Sequence, residues 1–501
     1  MKKIAIILGF FVIISSLASC GKIEKVNVVQ ETSQTLQVEN PPQELTTTKE
    51  TTPASATETV TTTPAVTTST ATSASTVTTV NTTAAKTSVK QPVTTSAQKT
   101  TTVHTTTTTP KVTTTVPATT STAPAATTKT ITNSTYNAIN FAEQKAMWIS
   151  YLEFQSILKG KTQAQFKASV QSMYNNCKSM GINTVYVHAR SHSDAFYVSD
   201  LYPWSLNCTG TIDVSPGFDP FKILVDEAHS RGLSIHAWIN PMRGLTDADM
   251  QKISNKYQIK QWYNDPAKRG TYIVSVDGTW YCSPAYKEVR NLITNGAKEI
   301  VSKYNVDGIH IDDYFYPTTA TSFDTMAFSQ SGSNNLSQWR LDTISSMVRE
   351  LYAGIKSVNP TVLFGVSPQG NISNDYSTQY ADVKKWCANQ GYLDYIVPQI
   401  YYGFKNTSQP YATNLQSWCN LVTAPNVKLV AGLAPYKIGS VESTGEWEND
   451  TRIMARQVET FKAQPKYGGA AFFRYGSMFW PSAYIQPQMS KEIEELTAVL
   501  K

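Results

Sequence analysis

Residues 306–317 read "VDGIHIDDYFYP". A run this apolar predicts a buried strand, yet it carries Asp307, Asp312 and Asp313. A carboxylate taken into a dry core costs several kcal/mol unless it is paired. Each of these acids therefore needs a partner or a task. Strand side chains alternate between two faces, so Ile309, Ile311 and Asp313 share one face and His310, Asp312 and Tyr314 the other. Branched aliphatics suit the face that packs against helices, which directs His310, Asp312 and Tyr314 into whatever interior the strand helps to close. This parity makes Asp312 the leading candidate for chemistry. Asp313 is expected to cap the following loop or to bond a neighbouring strand.

Seven further runs of the same kind lie on either side: "AMWISYLEF" (146–154), "INTVYVHAR" (182–190), "LSIHAWINP" (233–241), "TVLFGVSP" (361–368), "LDYIVPQIYYGF" (393–404), "VKLVAGLAPY" (427–436) and "GGAAFFRYGS" (468–477). Helix-like segments such as "FDPFKILVDEAHSRG" separate them, several ending at Gly or Asn, where helices stop. Strands alternating with helices pair in parallel through right-handed crossovers. Eight such units in residues 135–501 predict a single α/β domain, a (β/α)8 TIM barrel. A doubly wound open sheet is disfavoured because no Gly-rich turn follows the first strand. Function on a barrel collects where the strands end. Those ends carry Glu153, Arg190, Asp194, Asn240, Arg243, Asp312, Asp313, Gln399, Tyr401, Tyr402 and Arg474. A purely structural barrel has no need of so many polar groups at one end.

The N-terminal quarter is different material. Residues 1–19 begin with Lys2 and Lys3, continue in an apolar run too short for a permanent bilayer span, and stop at Leu17-Ala18-Ser19 before Cys20. This pattern resembles a bacterial lipobox. It implies cleavage before Cys20, a lipid on the Cys20 sulfur, and an extracytoplasmic protein anchored to a membrane. Residues 20–134 are a Thr-, Ser- and Pro-rich stretch whose few large apolar side chains cannot offset chain entropy. It is expected to be a disordered stalk. All ten Trp fall after it. The net charge of +6 comes with no basic run of the sort that binds nucleic acid. The five remaining Cys show no CxxC spacing and suggest small buried side chains.

The stretches "MWISYLEF", "GINTVYVHARSHSDAFYVSDLYPWS", "GFDPFKILVDEAHSRGLSIHAWINPMR", "VDGIHIDDYFYP", "VLFGVSPQGN", "LDYIVPQIYYGF" and "VAGLAPYKIG" run in one order through nearly all of 140–480. In this they resemble the glycosyl-hydrolase-like family 10 barrels of bacterial lipoproteins and secreted proteins. The resemblance implies a TIM-barrel glycosidase, some relatives acting on peptidoglycan glycan strands stripped of their peptides. With the lipobox it gives the expectation of a cell-surface enzyme acting on a polysaccharide, and a monomer is expected. It implies neither cofactor nor metal. Glycoside hydrolysis needs an acid for the leaving oxygen and a group that stabilises an oxocarbenium-like transition state. Asp312 is the leading acid, and Asp313, Asp194 and Glu153, at the same or neighbouring strand ends, are the candidates for the second group. Arg190, Asn240, Gln399 and Arg474 are expected to hold sugar hydroxyl or acetamido groups, with Trp204, Tyr401 and Tyr402 against sugar faces. Two other readings compete: a metal-dependent hydrolase or deacetylase using His188, His192, His236 and His310, and a sugar-binding barrel without catalysis.

Overall fold

The computed structural model describes residues 135–501. The expectations for the leader, for Cys20 and for the stretch up to Ser134 lie outside the described residues. Eight strands close into a barrel: β1 (Gln144–Ile149), β2 (Thr184–Arg190), β3 (Ser234–Ile239), β4 (Gly308–Ile311), β5 (Leu363–Val366), β6 (Tyr395–Ile396), β7 (Lys428–Leu433) and β8 (Tyr467–Phe472). Each pairs in parallel with the next, and β8 closes on β1. This is the (β/α)8 architecture that the alternation predicts.

The strands are shorter than the apolar runs that announce them. The first stops at Ile149 because Ser150 caps a helix, Tyr151–Ile157, through a reciprocal capping box with Glu153. The S-x-x-E spacing was visible in the sequence and is a helix-start signal. Glu153 therefore sits in the first turn of a helix and not at a strand end. Between β3 and β4 the chain adds a small antiparallel sheet of Arg243–Thr246, Ile273–Val276 and Thr279–Cys282. None of the three lies in a long apolar run of the kind that announces the barrel strands. All five Cys among the described residues are buried and free.

Two hydrophobic layers follow from the alternation. Ile309 and Ile311 join the large outer core between barrel and helices. The lumen is filled by a separate cluster that includes Trp148, Tyr186, Trp238 and Tyr395. Rings of this size fit only because other lumen positions are glycine. A Cβ on Gly365 would fall 1.9 Å from the Tyr395 ring, and one on Gly308 would fall 2.4 Å from His236 Nδ1.

Asp307 answers part of the question that its stretch raises. It is fully buried at the start of β4. Its Oδ1 accepts from the Ile139 N–H (2.6 Å) and the Tyr136 hydroxyl (2.7 Å). Its Oδ2 accepts from the Ile235 N–H (2.8 Å), with His229 Nε2 at 3.0 Å. This carboxylate stitches the segment entering the barrel to the N-terminal ends of β3 and β4. At the other end of β4, Arg340 and Asp324 form a fully buried ion pair, Nε to Oδ2 at 2.9 Å and Nη2 to Oδ1 at 2.6 Å. That pair ties the loop after β4 to the helix Leu336–Val358.

Replacing Asp307 with Ala leaves the buried Ile235 N–H and the half-buried Ile139 N–H without partners, a buried one costing about 1–3 kcal/mol. Asp307→Ala should thus lose about 3–5 kcal/mol of stability by urea denaturation. A loss below about 1 kcal/mol would contradict the anchoring role.

Candidate active site

The lumen network forms the floor of the site. Trp148 Nε1 donates to His310 Nε2 (3.1 Å), so a neutral His310 carries its proton on Nδ1 and donates it to the Tyr395 hydroxyl oxygen (3.0 Å). Tyr395 in turn donates to His236 Nδ1 (2.7 Å). Burial supports both rings in the neutral form, lowering His310 well below the usual histidine range and His236 to about 4. His310 spends both nitrogens on a tryptophan and a tyrosine, and His236 spends Nδ1 on the same tyrosine. Among the described residues, no group of three His, Cys, Asp or Glu side chains is placed to hold a metal ion.

Above that floor the parity expected for β4 continues. Asp312 accepts from Trp238 Nε1 through Oδ2 (3.1 Å) and from the Tyr314 N–H through Oδ1 (3.3 Å). Trp238 belongs to the lumen cluster, so Asp312 faces the barrel mouth. Burial, and then the charge of Asp313 beside it, hold the Asp312 carboxyl well above the usual carboxylate range. Burial raises Asp313 as well, but there the carboxamides of Gln399, Gln379 and Gln369 act as hydrogen-bond donors that favour the charge. The two titrate as a pair. Their surroundings place the shared proton on Asp312 and the charge on Asp313.

Several groups surround the pair. Tyr401 lies in the field of both carboxylates, its ring 6.1 Å from Phe473 and 5.8 Å from Tyr436. Gln399 bridges Asp313 to the rim and donates to the Ser367 carbonyl (3.1 Å). Arg243 acts on Asp312 and lies over the Tyr314 ring at 4.5 Å. Asn240 follows β3 and is buried. Arg474 follows β8, where it is ion-paired with Glu153. Glu153 also accepts from the Ser150 N–H (2.7 Å) and the Gly476 N–H (2.8 Å), and is fully committed to this junction.

Four expected site residues lie elsewhere. A register shift between His188 and Arg190 pairs Arg190 with Ile239, which belongs to the outer core. Arg190 is thereby turned to the helix side, its guanidinium 4.1 Å from the Tyr202 ring and close against Gly296 of the helix Lys287–Lys303. A bulge of this kind reverses the face of a side chain and leaves no mark in an alternating pattern. Asp194 goes with it. Its Oδ1 accepts from the His192 N–H (2.9 Å), and Ser205, the Ser191 backbone and Arg190 also act on it, so it organises the loop after β2. Trp204 pairs with Ala195 across that loop and packs on the outer core. Tyr402 alternates away from Tyr401 and packs on the same core, close against Gly370.

Other contributors carried little or no signal. Trp238 lies in the strand run 233–241, but nothing in the sequence marked it as a partner of Asp312. Gln379 reaches Asp313 from a turn in which Tyr380 takes a φ of +55°, a strained conformation for a non-glycine residue. Asp375 braces that turn: its Oδ1 accepts from the Gln369 N–H (3.0 Å) and its carbonyl from the Ala381 N–H (2.7 Å). No local pattern announces these contacts.

With this geometry in hand, comparison with known proteins is informative. The model of the family described as glycosyl hydrolase-like 10 matches residues 143–449. The chain belongs to the glycosyl hydrolase-like 10 family. Among its relatives, glycosyl hydrolase YngK of Bacillus subtilis (strain 168) is 32% identical over 329 residues, 61% of this chain and 63% of that protein. Glycosyl hydrolase DigH of Escherichia coli (strain K12) is 31% identical over 337 residues, 63% of this chain and 76% of that protein. The chain thus spans a little under two thirds of the length of YngK. Among solved structures, the glycoside hydrolase domain of PgaB (BpsB) from Bordetella bronchiseptica aligns with a TM-score of 0.47 and 9% identity, covering 70% of this chain and 99% of that one. The family match spans β1 to β7; Phe473, Arg474 and Gly476 lie beyond it.

The raised folded-state value of Asp312 has a consequence for stability. Between the unfolded value of about 3.9 and the raised folded value, the folded chain binds the extra proton, so stability falls as pH rises through that interval. Asp312→Asn removes this dependence. The variant should unfold at a higher temperature than wild type at pH 8, and the gain should vanish below about pH 4. Equal thermal midpoints at pH 8 would show that Asp312 is not protonated in the folded state.

Proposed function

We propose that this chain is a glycoside hydrolase acting at the barrel mouth, with Asp312 as general acid. The observation that carries the reading is the contrast between two adjacent carboxyls. Asp312 rests against an indole in the mouth with Asp313 as its charged neighbour, and three carboxamides support the charge on Asp313. Environments that differ in this way separate an acid from a charged partner. In the proposed reaction Asp312 gives its proton to the leaving glycosidic oxygen as the C1–O bond breaks. Asp313 stabilises the positive charge that develops on the sugar ring, and water adds to C1 and returns a proton to the Asp312 carboxylate. Tyr401 and Arg243 frame the reacting sugar.

The proposed substrate is a cell-wall polysaccharide, peptidoglycan glycan strands stripped of their peptides. Family membership and the resemblance across 140–480 support it. The proposed location is the outer face of a bacterial membrane, with a lipid on Cys20 and the stretch to Ser134 as tether.

Purified glycan strands test the activity. Asp312→Asn should lower turnover at least about 100-fold, as expected for loss of a general acid, while strand binding persists. Turnover within a few-fold of wild type would remove Asp312 from the role and move it to Asp313. Activity should also fall as pH rises through the raised Asp312 value, because the acid must be protonated to act.

Fractionation tests the location. Wild-type protein should sediment with membranes, and Cys20→Ala should move it to the soluble fraction. A Cys20→Ala protein that still sediments would defeat the anchor.

A further inference from the structure

A track of aromatic rings leads out of the mouth over the rim of β7 and β8. The Phe473 ring, at the end of β8, lies 6.4 Å from Trp238, the indole that bonds Asp312, and 6.1 Å from Tyr401. Tyr436, after β7, stands 6.2 Å from Phe473. The helix Tyr475–Phe479 packs on Pro435–Lys437, and Trp480 follows at its end. The Trp480 ring meets Tyr475 nearly at right angles, 5.2 Å between centroids, and its Cε3 edge covers Gly476. The rest of the indole is open. Trp480 is 45% exposed, whereas the other nine Trp are buried or partly buried. Tyr484, further along the same loop, is 83% exposed. Val441, 81% exposed, comes from the loop after β7, which touches this one where Gly439 makes room for the Ile485 side chain. Large apolar side chains gathered on one surface mark a binding site, whereas scattered ones do not.

We propose that Trp480 and Tyr484 form a platform for a distal sugar ring of an extended glycan whose cleaved bond lies at Asp312. The assignment rests on the glycosidase reading and adds that the chain is gripped well away from the bond that breaks. Place in the barrel selects this occupant. β8 lies opposite β4, so the platform stands across the mouth from Asp312. Eight strands about 4.8 Å apart and tilted about 36° close into a ring about 15 Å across, a span of several sugar units. A pyranose ring presents C–H groups on its faces and hydroxyls at its edge. An open aromatic face takes the C–H side through dispersion and its negative potential. Arg474 lies against Gly476 as Trp480 does, and its partly exposed guanidinium offers donors to the hydroxyls. A protein partner suits the patch less well, because a stable interface takes about 800 Å² from each side, far more than three side chains present. Trp480 and Tyr484 also lie beyond residue 449, where the family match ends, so the platform belongs to this chain's own C-terminal loops.

Peptide-free glycan strands of two lengths, a tetrasaccharide and a dodecasaccharide, test the proposal. A tetrasaccharide centred on Asp312 falls short of the platform, and a dodecasaccharide reaches it. Binding is measured by calorimetry on the full chain in the Asp312→Asn background, so that neither strand is consumed. The dodecasaccharide should bind at least about tenfold more tightly than the tetrasaccharide. Adding Trp480→Ala should weaken the dodecasaccharide about fivefold to tenfold and the tetrasaccharide less than about twofold. Trp480→Phe, which keeps an aromatic face, should restore most of the loss. The thermal midpoint of both variants should stay close to that of the parent, because half of the indole is already in water. A distal binding role predicts this dependence on length and a structural role does not. Equal affinities for the two lengths, or a dodecasaccharide affinity that Trp480→Ala leaves unchanged, would overturn the platform and leave the glycosidase reading intact. A parallel loss for both lengths with a lowered thermal midpoint would make Trp480 structural and overturn it equally. Binding of neither strand would overturn the platform together with the proposed substrate.

Discussion

The hydroxyl of Tyr395, held between His310 and His236, is the contact on which the mouth depends. A closed eight-stranded barrel has room inside for side chains and little else, and each polar atom placed there must find a partner within the lumen. The chain from Trp148 through His310 and Tyr395 to His236 meets that demand with neutral groups whose tautomers are fixed by their neighbours. Glycine at positions 308 and 365 makes room for the rings. The result is a rigid floor of stacked and hydrogen-bonded rings, with Tyr186 lying 4.2 Å from His310 in a parallel stack.

Rigidity in the floor is transmitted upward. Trp238 belongs both to the lumen layer and to Asp312, and His188 stacks on the other side of the same indole wall. The general-acid candidate is thus positioned by a strand residue and not by a mobile loop. Asp313 is held differently. Its carboxamide partners come from the rim of β5 and β6 and from the turn at Gln379. That turn is braced by Asp375 and, through the Tyr380 hydroxyl, by Arg340 (3.0 Å). Two adjacent residues on one strand thereby receive unlike environments, one desolvated and one supplied with donors. Such a contrast lets two carboxyls of the same intrinsic acidity take different protonation states.

Residues 306–317 show how far a sequence can be read. Its alternation separated Ile309 and Ile311 from His310 and Asp312, because a period of two is a local property of extended backbone and needs no knowledge of the partner strands. The eight-fold repeat of such runs determined the barrel for the same reason, together with the end of the barrel at which chemistry gathers. The resemblance along 140–480 added the family. Asp307 was legible as a buried acid in need of partners, but those partners come from residues 136, 139, 229 and 235 and were not.

Tertiary structure alone decided which strand-end residues share the mouth. Arg190 left it through a one-residue bulge in the pairing of β2 with β3, and Asp194 and Trp204 followed because their loop folds back on the outer core. Gln379 and Asp375 gained their meaning from contacts between segments that no local pattern joins. Sequence determines periodicity and composition, which are properties of neighbours along the chain. Register, bulges and loop closure depend on how distant segments satisfy one another's hydrogen bonds and volumes, and these positioned the individual side chains of the site.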